Sequence, residues 1–226
     1  MVRERLSETD HEAIRAAVRE AEAKSDGEIV TIIAPRSDAY HDVGLHYAVL
    51  AMLLVPGLLA VVPQGWIDWW IGLLLGWNAE PTRAQLMLFL FAKLAAVFLV
   101  VRYALAWMPL RMALTPAATK RRRVRRRAVE LFRVTCERRT RGRTGVLLYL
   151  SLAEHRAEIV ADQAIVEKTQ PADWGEAMAL LIAEVKMIRA GAGMTLAVTK
   201  IGEVLARVLP PDADNPNELP DSVIEL

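Results

Sequence analysis

Two long apolar runs dominate the hydropathy pattern of the chain. The first occupies residues 44–62 and is broken only by His46 near its start; the second occupies 86–108 and carries Lys93 and Arg102. Each is about 20 residues long, the length that crosses a bilayer's hydrocarbon core. Neither leaves the polar face of a surface helix. Pro56-Gly57 predicts a kink in the first run. Lys93 and Arg102 each lie about two helical turns from the nearer end of the second, so their heads can reach opposite interfaces, Lys93 outward and Arg102 inward. The Trp-rich segment between the runs, 65–77, is too short to cross and contains Asp68, which predicts a helix lying in the interface. Trp66, Trp69, Trp70, Trp77 and Trp107 fall at the expected boundaries, as aromatic belts do. Immediately beyond the second run stands TKRRRVRRR, residues 119–127. Positive flanks of this kind mark the cytoplasmic side. The pattern predicts a transmembrane hairpin with both flanking segments in the cytoplasm.

Outside the runs the period changes. Ile14, Ala17, Val18 and Ala21 recur at helical spacing, and Ser7 with Asp10 forms a short-armed capping box, predicting a helix over 7–24. EIVTIIA at 28–34 is β-branched and apolar, a buried strand. After the runs, Val124, Ala128, Leu131, Phe132 and Thr135 share one helix face, with the arginines on the other. TGVLLYLS at 144–151 and AEIVA at 157–161 predict two more strands joined by a turn at 153–156. Trp174, Ala177, Met178, Leu181, Val185 and Ile188 predict a helix from about Asp173. A last helix spans 191–209 and is stopped by Pro210-Pro211. Without the hairpin, the order is helix, strand, helix, strand, strand, helix, helix, which predicts one three-layer α/β domain divided in sequence. The expected organisation is 1–42, the first part of the domain; 43–116, the hairpin; 117–211, the remainder; and 212–226, a tail.

Charge sharpens this picture. Of 226 residues, 54% are hydrophobic and 24% charged, with net charge +1, but the basic residues are concentrated: 120–143 holds twelve basic and two acidic residues. Beside a membrane span, topology and anionic lipid account for such a block. Nucleic acid would need interleaved aromatics on a soluble module, and only Phe132 is near, so no nucleic-acid partner is expected. Arg121, Arg122, Arg125 and Arg126 are the expected lipid-binding residues. One cysteine, Cys136, excludes an intramolecular disulfide and a multi-cysteine metal site. The charged helix over the first residues is no cleavable signal.

Motifs offer little chemistry. His11-Glu12 begins a zinc-protease pattern, but Arg15 stands in place of its second histidine. Gly191-Ala192-Gly193 lacks the strand before it and the third glycine of a dinucleotide site. Asp212-Ala213-Asp214 opens like a calcium loop, and Pro216 and Asn217 break it. Topology supplies one candidate site. If the first two strands are parallel, their ends after Ala34 and Ser151 share an edge, and ligands of open α/β sheets bind beyond that carboxyl edge. Ser37, Asp38, Glu154, His155 and Arg156 gather there, facing the bilayer.

RTGVLLYLSLAEHRAEIVAD at 143–162, the Trp-started helix after it, GMTLAVTKIGEVLARVLPP, NELPD and SDGEIVTIIAPRSDAY together resemble the bacterial membrane-inserted branch of the TPM-domain family. The resemblance covers both soluble segments. It implies a Rossmann-like α/β/α unit with a two-helix transmembrane hairpin inserted after the first strand, placed at the cytoplasmic face of a bacterial inner membrane. Relatives include plant members described as acid phosphatases and animal members that modulate membrane receptors. More typical members carry an Asp-Arg pair in the turn between the second and third strands and glycines after the third. Here the turn reads Glu154-His155-Arg156, with Arg156 matching the arginine, and Asp162-Gln163-Ala164 replaces the glycines. The expected function is a non-catalytic accessory module that binds membrane lipid, a membrane-protein partner or a second copy of itself. The alternative is a phosphatase using Ca or Mg, with Asp38 or Glu154 on the metal or phosphate and Arg156 on the phosphate.

Overall fold

The computed structural model describes residues 6–77, 80–137, 144–211 and 218–226. Asn78, Gly142 and the Asp212-Ala213-Asp214 segment lie outside them. The chain divides into two compact units, one formed by Met1–Asp38 with Pro116–Leu226, the other by Ala39–Thr115.

The first unit is mixed α/β. Helix α1 (Glu8–Glu22) starts at Ser7, whose hydroxyl accepts the Asp10 amide while the Asp10 carboxylate accepts the Ser7 amide. The expected capping box is present. Strands β1 (Glu28–Ala34) and β2 (Gly145–Ser151) are buried at every position. They pair in parallel, Glu28 opposite Gly145 and Ala34 opposite Ser151. Their unbroken apolar sequences follow from burial on both faces, since a half-exposed strand would alternate. Strand β3 (Arg156–Ala161) runs antiparallel to β2. The sequence places its start one residue later, at Ala157. A fourth strand, β4 (Ile224–Glu225), lies parallel to β1 in the order β3-β2-β1-β4. It was not expected, because two residues in a polar tail carry no readable period.

Strand alternation sorts the core. Ile29, Ile33, Val146, Leu148 and Leu150 join a cluster with α1, with α8 (Gly175–Lys186) and with α9 (Ala190–Val208). Val30, Ile32, Ala34, Leu147 and Tyr149 pack with Val124, Ala128 and Phe132 of α6 (Ala117–Thr135). Helix α9 lies close along α1. A Cβ on Gly202 would stand 2.5 Å from that of Ala21, so only glycine allows this approach. Thr31 sits in β1 between Ile29 and Ile33, and its buried hydroxyl has no hydrogen-bond partner among the described residues. The short helix α7 (Gln163–Val166) and a 3-10 turn at Pro171–Trp174 precede α8, which begins two residues after the expected start at Asp173.

The second unit is helical. It comprises α2 (His41–Val61), α3 (Gln64–Leu75), α4 (Arg83–Ala104) and α5 (Met108–Leu114). Helices α2 and α4 pack together and are long and apolar enough to cross a membrane. Their large side chains point outward: Leu53 is 65% exposed and Phe91 66%, and α4 buries no residue at all. The second apolar run reads as one helix to Met108, but α4 stops at Ala104 and α5 begins separately. Pro109 explains the break: within a continuous helix its ring would collide with the Leu105 carbonyl. That carbonyl instead accepts Nε of Arg111 at 2.7 Å, and the Ala106 carbonyl accepts Nη2 at 3.1 Å. Lys93 does turn toward the Trp-rich segment, with Nζ 3.8 Å from the centre of the Trp70 ring. A cation over an aromatic face is stabilised by the ring's quadrupole.

Candidate functional site

Parallel pairing of β1 and β2 brings the segments after Ala34 and Ser151 together, as the topology predicts. Backbone bonds extend the contact past the strands: the Leu152 amide donates to the Ala34 carbonyl and the Ala153 amide to that of Pro35, both at 3.0 Å. Over this frame lies a run of hydroxyls. Tyr149 Oη stands 3.0 Å from Ser37 Oγ, which donates to Ser151 Oγ at 2.9 Å. Ser151 donates in turn to Glu154 Oε2 at 2.5 Å, and the other carboxyl oxygen of Glu154 accepts the Ser37 amide at 3.0 Å. Tyr149 and Ser151 are fully buried, and Glu154 is 6% exposed. Burial pushes the Tyr149 phenol above its ordinary range, with the Ser37 and Ser151 hydrogen bonds opposing.

Asp38, the next carboxylate along this edge, faces α6. Its Oδ2 lies 3.0 Å from Arg123 Nη1 and 3.3 Å from Arg126 Nη2. Two guanidiniums therefore converge on one carboxylate.

The structure thus gathers the five candidates at one edge, with Ser37, Asp38 and Glu154 in side-chain bonds there and His155 and Arg156 in the adjoining turn and strand start. His155 is exposed and left-handed, with φ 47°, a turn conformation in which histidine is one of the commoner non-glycine residues. Arg156 begins β3 opposite Ser151 and is half-buried. The four expected lipid-binding arginines also divide. Arg121 and Arg122 are exposed and form no ion pair among the described residues. Arg125 holds Glu158 at 3.1 Å, and Arg126 holds Asp38 and Glu130. These last two are therefore engaged in joining α6 to its own unit.

Sequence reading missed Tyr149, Ser151 and Arg123. A legible signal existed for the serine: a hydroxyl residue at the end of an apolar strand, three residues before an acid, is placed to bond it. Arg123 adjoins the buried Val124 on the helix, a boundary position that the uniform arginine run conceals.

At the opposite end of β1, Glu22 accepts the Ile29 amide at 2.9 Å and Glu28 accepts the Leu219 amide at 3.1 Å. Burial raises the Glu22 carboxyl to about 8, with Glu28 and Asp221 nearby adding to the rise, and it raises Glu28 as well. Glu28 anchors the segment leading to β4, together with Arg19, 2.8 Å from Asp221.

The residues at the carboxyl edge do not fit Ca or Mg. A hard cation needs carboxylate oxygens free to converge on it, whereas Asp38 faces two arginines and Glu154 is bonded to a hydroxyl and an amide. No group of three or more His, Cys, Asp or Glu among the described residues could hold a metal ion.

Comparison with known proteins adds the fold. No family model and no curated protein matches the chain. Among solved structures, it is similar to the NMR structure of BA42 protein from the psychrophilic bacterium Bizionia argentinensis, at 16% identity and a TM-score of 0.56, over 100% of this chain and 98% of that one. At that identity the likeness is one of fold alone.

Proposed function

We propose that the chain is a membrane-anchored accessory protein whose α/β unit binds a partner at the cytoplasmic face of a bacterial inner membrane and catalyses no reaction. In this reading the α/β unit is a Rossmann-like, three-layer domain resembling TPM domains, and α2 and α4 form a transmembrane hairpin inserted after β1. The basic residues at 119–127 hold the flanking segments on the cytoplasmic side.

The observation that carries the non-catalytic reading is the closed polar edge. An enzyme needs a nucleophile, acid, base or charge stabiliser presented to a substrate. Here Tyr149, Ser37, Ser151 and Glu154 bond one another within a buried network, and Asp38 lies against Arg123 and Arg126. These hydroxyls and carboxylates are instead spent on joining the loop after β1 to the β2–β3 turn and to α6. Such a junction keeps the point where the chain leaves the unit rigid, as a domain that positions a partner at a membrane requires.

The test is a phosphatase assay of the detergent-purified protein with and without calcium or magnesium, beside the Asp38→Ala, Glu154→Ala double variant. No turnover above background is expected. Metal-dependent turnover abolished by the two substitutions would replace this reading with the phosphatase one.

A further inference from the structure

We infer that the turn between α8 and α9, Met187-Ile188, is a membrane-docking wedge by which the α/β unit rests its apolar tip in the interface of a lipid bilayer. The inference rests on the membrane-anchored reading and gives the unit a contact of its own with lipid.

Local geometry singles out this turn. The Arg189 amide donates to the Glu184 carbonyl and the Ile188 amide to that of Val185, both at 3.1 Å. This pair of bonds is a Schellman ending, whose left-handed position is usually glycine because a Cβ is penalised there. Here isoleucine occupies it, with φ 58°. A β-branched residue in that region is a genuine outlier, and such strain persists where the residue is kept for another purpose. Packing is not that purpose: Ile188 is 76% exposed and Met187 63%. The sequence pattern assigns Ile188 to the buried face of α8; the structure ends the helix first and turns the side chain out. The result is an exposed apolar pair beside the exposed Lys186, a composition suited to the water–lipid boundary.

Position supplies the second argument. Helix α9 begins directly after the turn, and a Cβ on Gly191 would overlap Asp10, so the turn adjoins the start of α1. His11, in that first turn of α1, lies 3.1 Å from Glu225, which pairs with Ile33 at the carboxyl end of β1. At the other end of the unit, the Asp26 amide meets the Leu209 carbonyl. Met187-Ile188 therefore occupies the carboxyl end of the sheet. The chain departs from that same end at Asp38, and Arg123 and Arg126 on Asp38 place the early turns of α6 there too. Asp38 is three residues ahead of α2, a reach of about 10 Å even when fully extended. A bilayer that holds α2 therefore lies within reach of this end of the unit.

The test uses the full chain. Its one cysteine, Cys136, is buried, so Met187→Cys, Ala23→Cys and Leu88→Cys can each be labelled with an environment-sensitive dye. Each protein is reconstituted into vesicles of phosphatidylethanolamine and phosphatidylglycerol, with or without lipid carrying a shallow spin-label quencher. Ala23 marks the far end of the unit and Leu88 the outward face of α4. The inference expects the labels at 187 and 88 to lose most of their emission to the quencher and the label at 23 to lose none. Quenching at 88 with none at 187 overturns the wedge and leaves the membrane anchor standing. No quenching at 88 overturns both. In detergent, Ile188→Gly should raise the melting temperature by relieving the left-handed isoleucine; a lower melting temperature would show that Ile188 serves stability, and would remove the argument from strain.

Discussion

Helices α4 and α9 are similar in length and both are rich in apolar residues, yet they distribute them in opposite ways. Helix α9 buries ten residues, among them Met194, Ala197, Val198, Ile201 and Leu205, against α1, α8 and the sheet. Helix α4 is apolar along nearly its whole length and buries none. In water the first arrangement is what the hydrophobic effect produces, and the second is what it opposes. The helix pair that directs Leu53, Leu58, Leu88, Phe91 and Val100 outward is the pair long and apolar enough to cross a membrane. The difference shows that apolar content does not distinguish a span from a core helix; the direction of the apolar side chains does.

The comparison can be broken most forcefully at Phe91, near the middle of α4. Phe91→Asp should weaken membrane insertion by about 3 kcal/mol, the order found for a charge at the centre of a span, read as a fall in the inserted fraction during in vitro translation with membranes. Unchanged insertion would mean that the outward face of α4 does not meet lipid.

In the α/β unit the decisive groups are polar and inside. Glu154→Ala would strand the Ser151 hydroxyl and the Ser37 amide, and a loss of about 2–3 kcal/mol is expected in denaturant unfolding. A loss below about 0.5 kcal/mol, typical of an ordinary surface change, would show that the network does not hold the two loops together.

Glu22 sharpens the same point through pH. Burial pushes its carboxyl from an ordinary value near 4.5 up to about 8 in the fold, so between these values the folded chain keeps a proton that the unfolded chain has released. Stability then falls as pH rises from about 4.5 to 8. Water reaches part of this group, so screening trims the effect to the order of 1–2 kcal/mol. Glu28 contributes in the same direction, and Glu22→Gln should flatten the profile in part without removing the slope. A stability that rises through this window would contradict the assignment.

The smallest effect expected is a gain. Thr31→Val keeps the shape of the side chain and removes the buried hydroxyl that has no partner among the described residues, which should stabilise the unit by about 1 kcal/mol. A loss would reveal a bond to that hydroxyl.

Much of this was legible in the sequence, for reasons that differ by region. The α2 and α4 runs announce themselves because length and composition suffice. Strands β1 and β2 were readable because burial on both faces leaves an unbroken apolar run, while their parallel pairing entered the sequence reading only as a condition, which the structure meets. The end of α4 was passed over although Pro109 signals it; the Arg111 side chain that closes it by reaching back to Leu105 leaves no period. Strand β4 was hidden for a related reason: Glu28 and Arg19 hold the segment leading to it, at Leu219 and Asp221, and His11 holds Glu225, all from far away in sequence. At the candidate site, sequence brought Ser37, Asp38 and Glu154 to one edge. Their state could not be read, since it depends on Tyr149, Ser151, Arg123 and Arg126 arriving from β2 and α6.

The division between the two units is tested most directly by replacing residues 39–115 with a short flexible linker and comparing that chain with the parent in fractionation and thermal melting. The parent should stay in the membrane fraction after an alkaline wash and need detergent to leave it, while the shortened chain should be soluble without detergent and unfold in one cooperative transition. A parent that is soluble without detergent, or a shortened chain recovered only unfolded, would contradict the account.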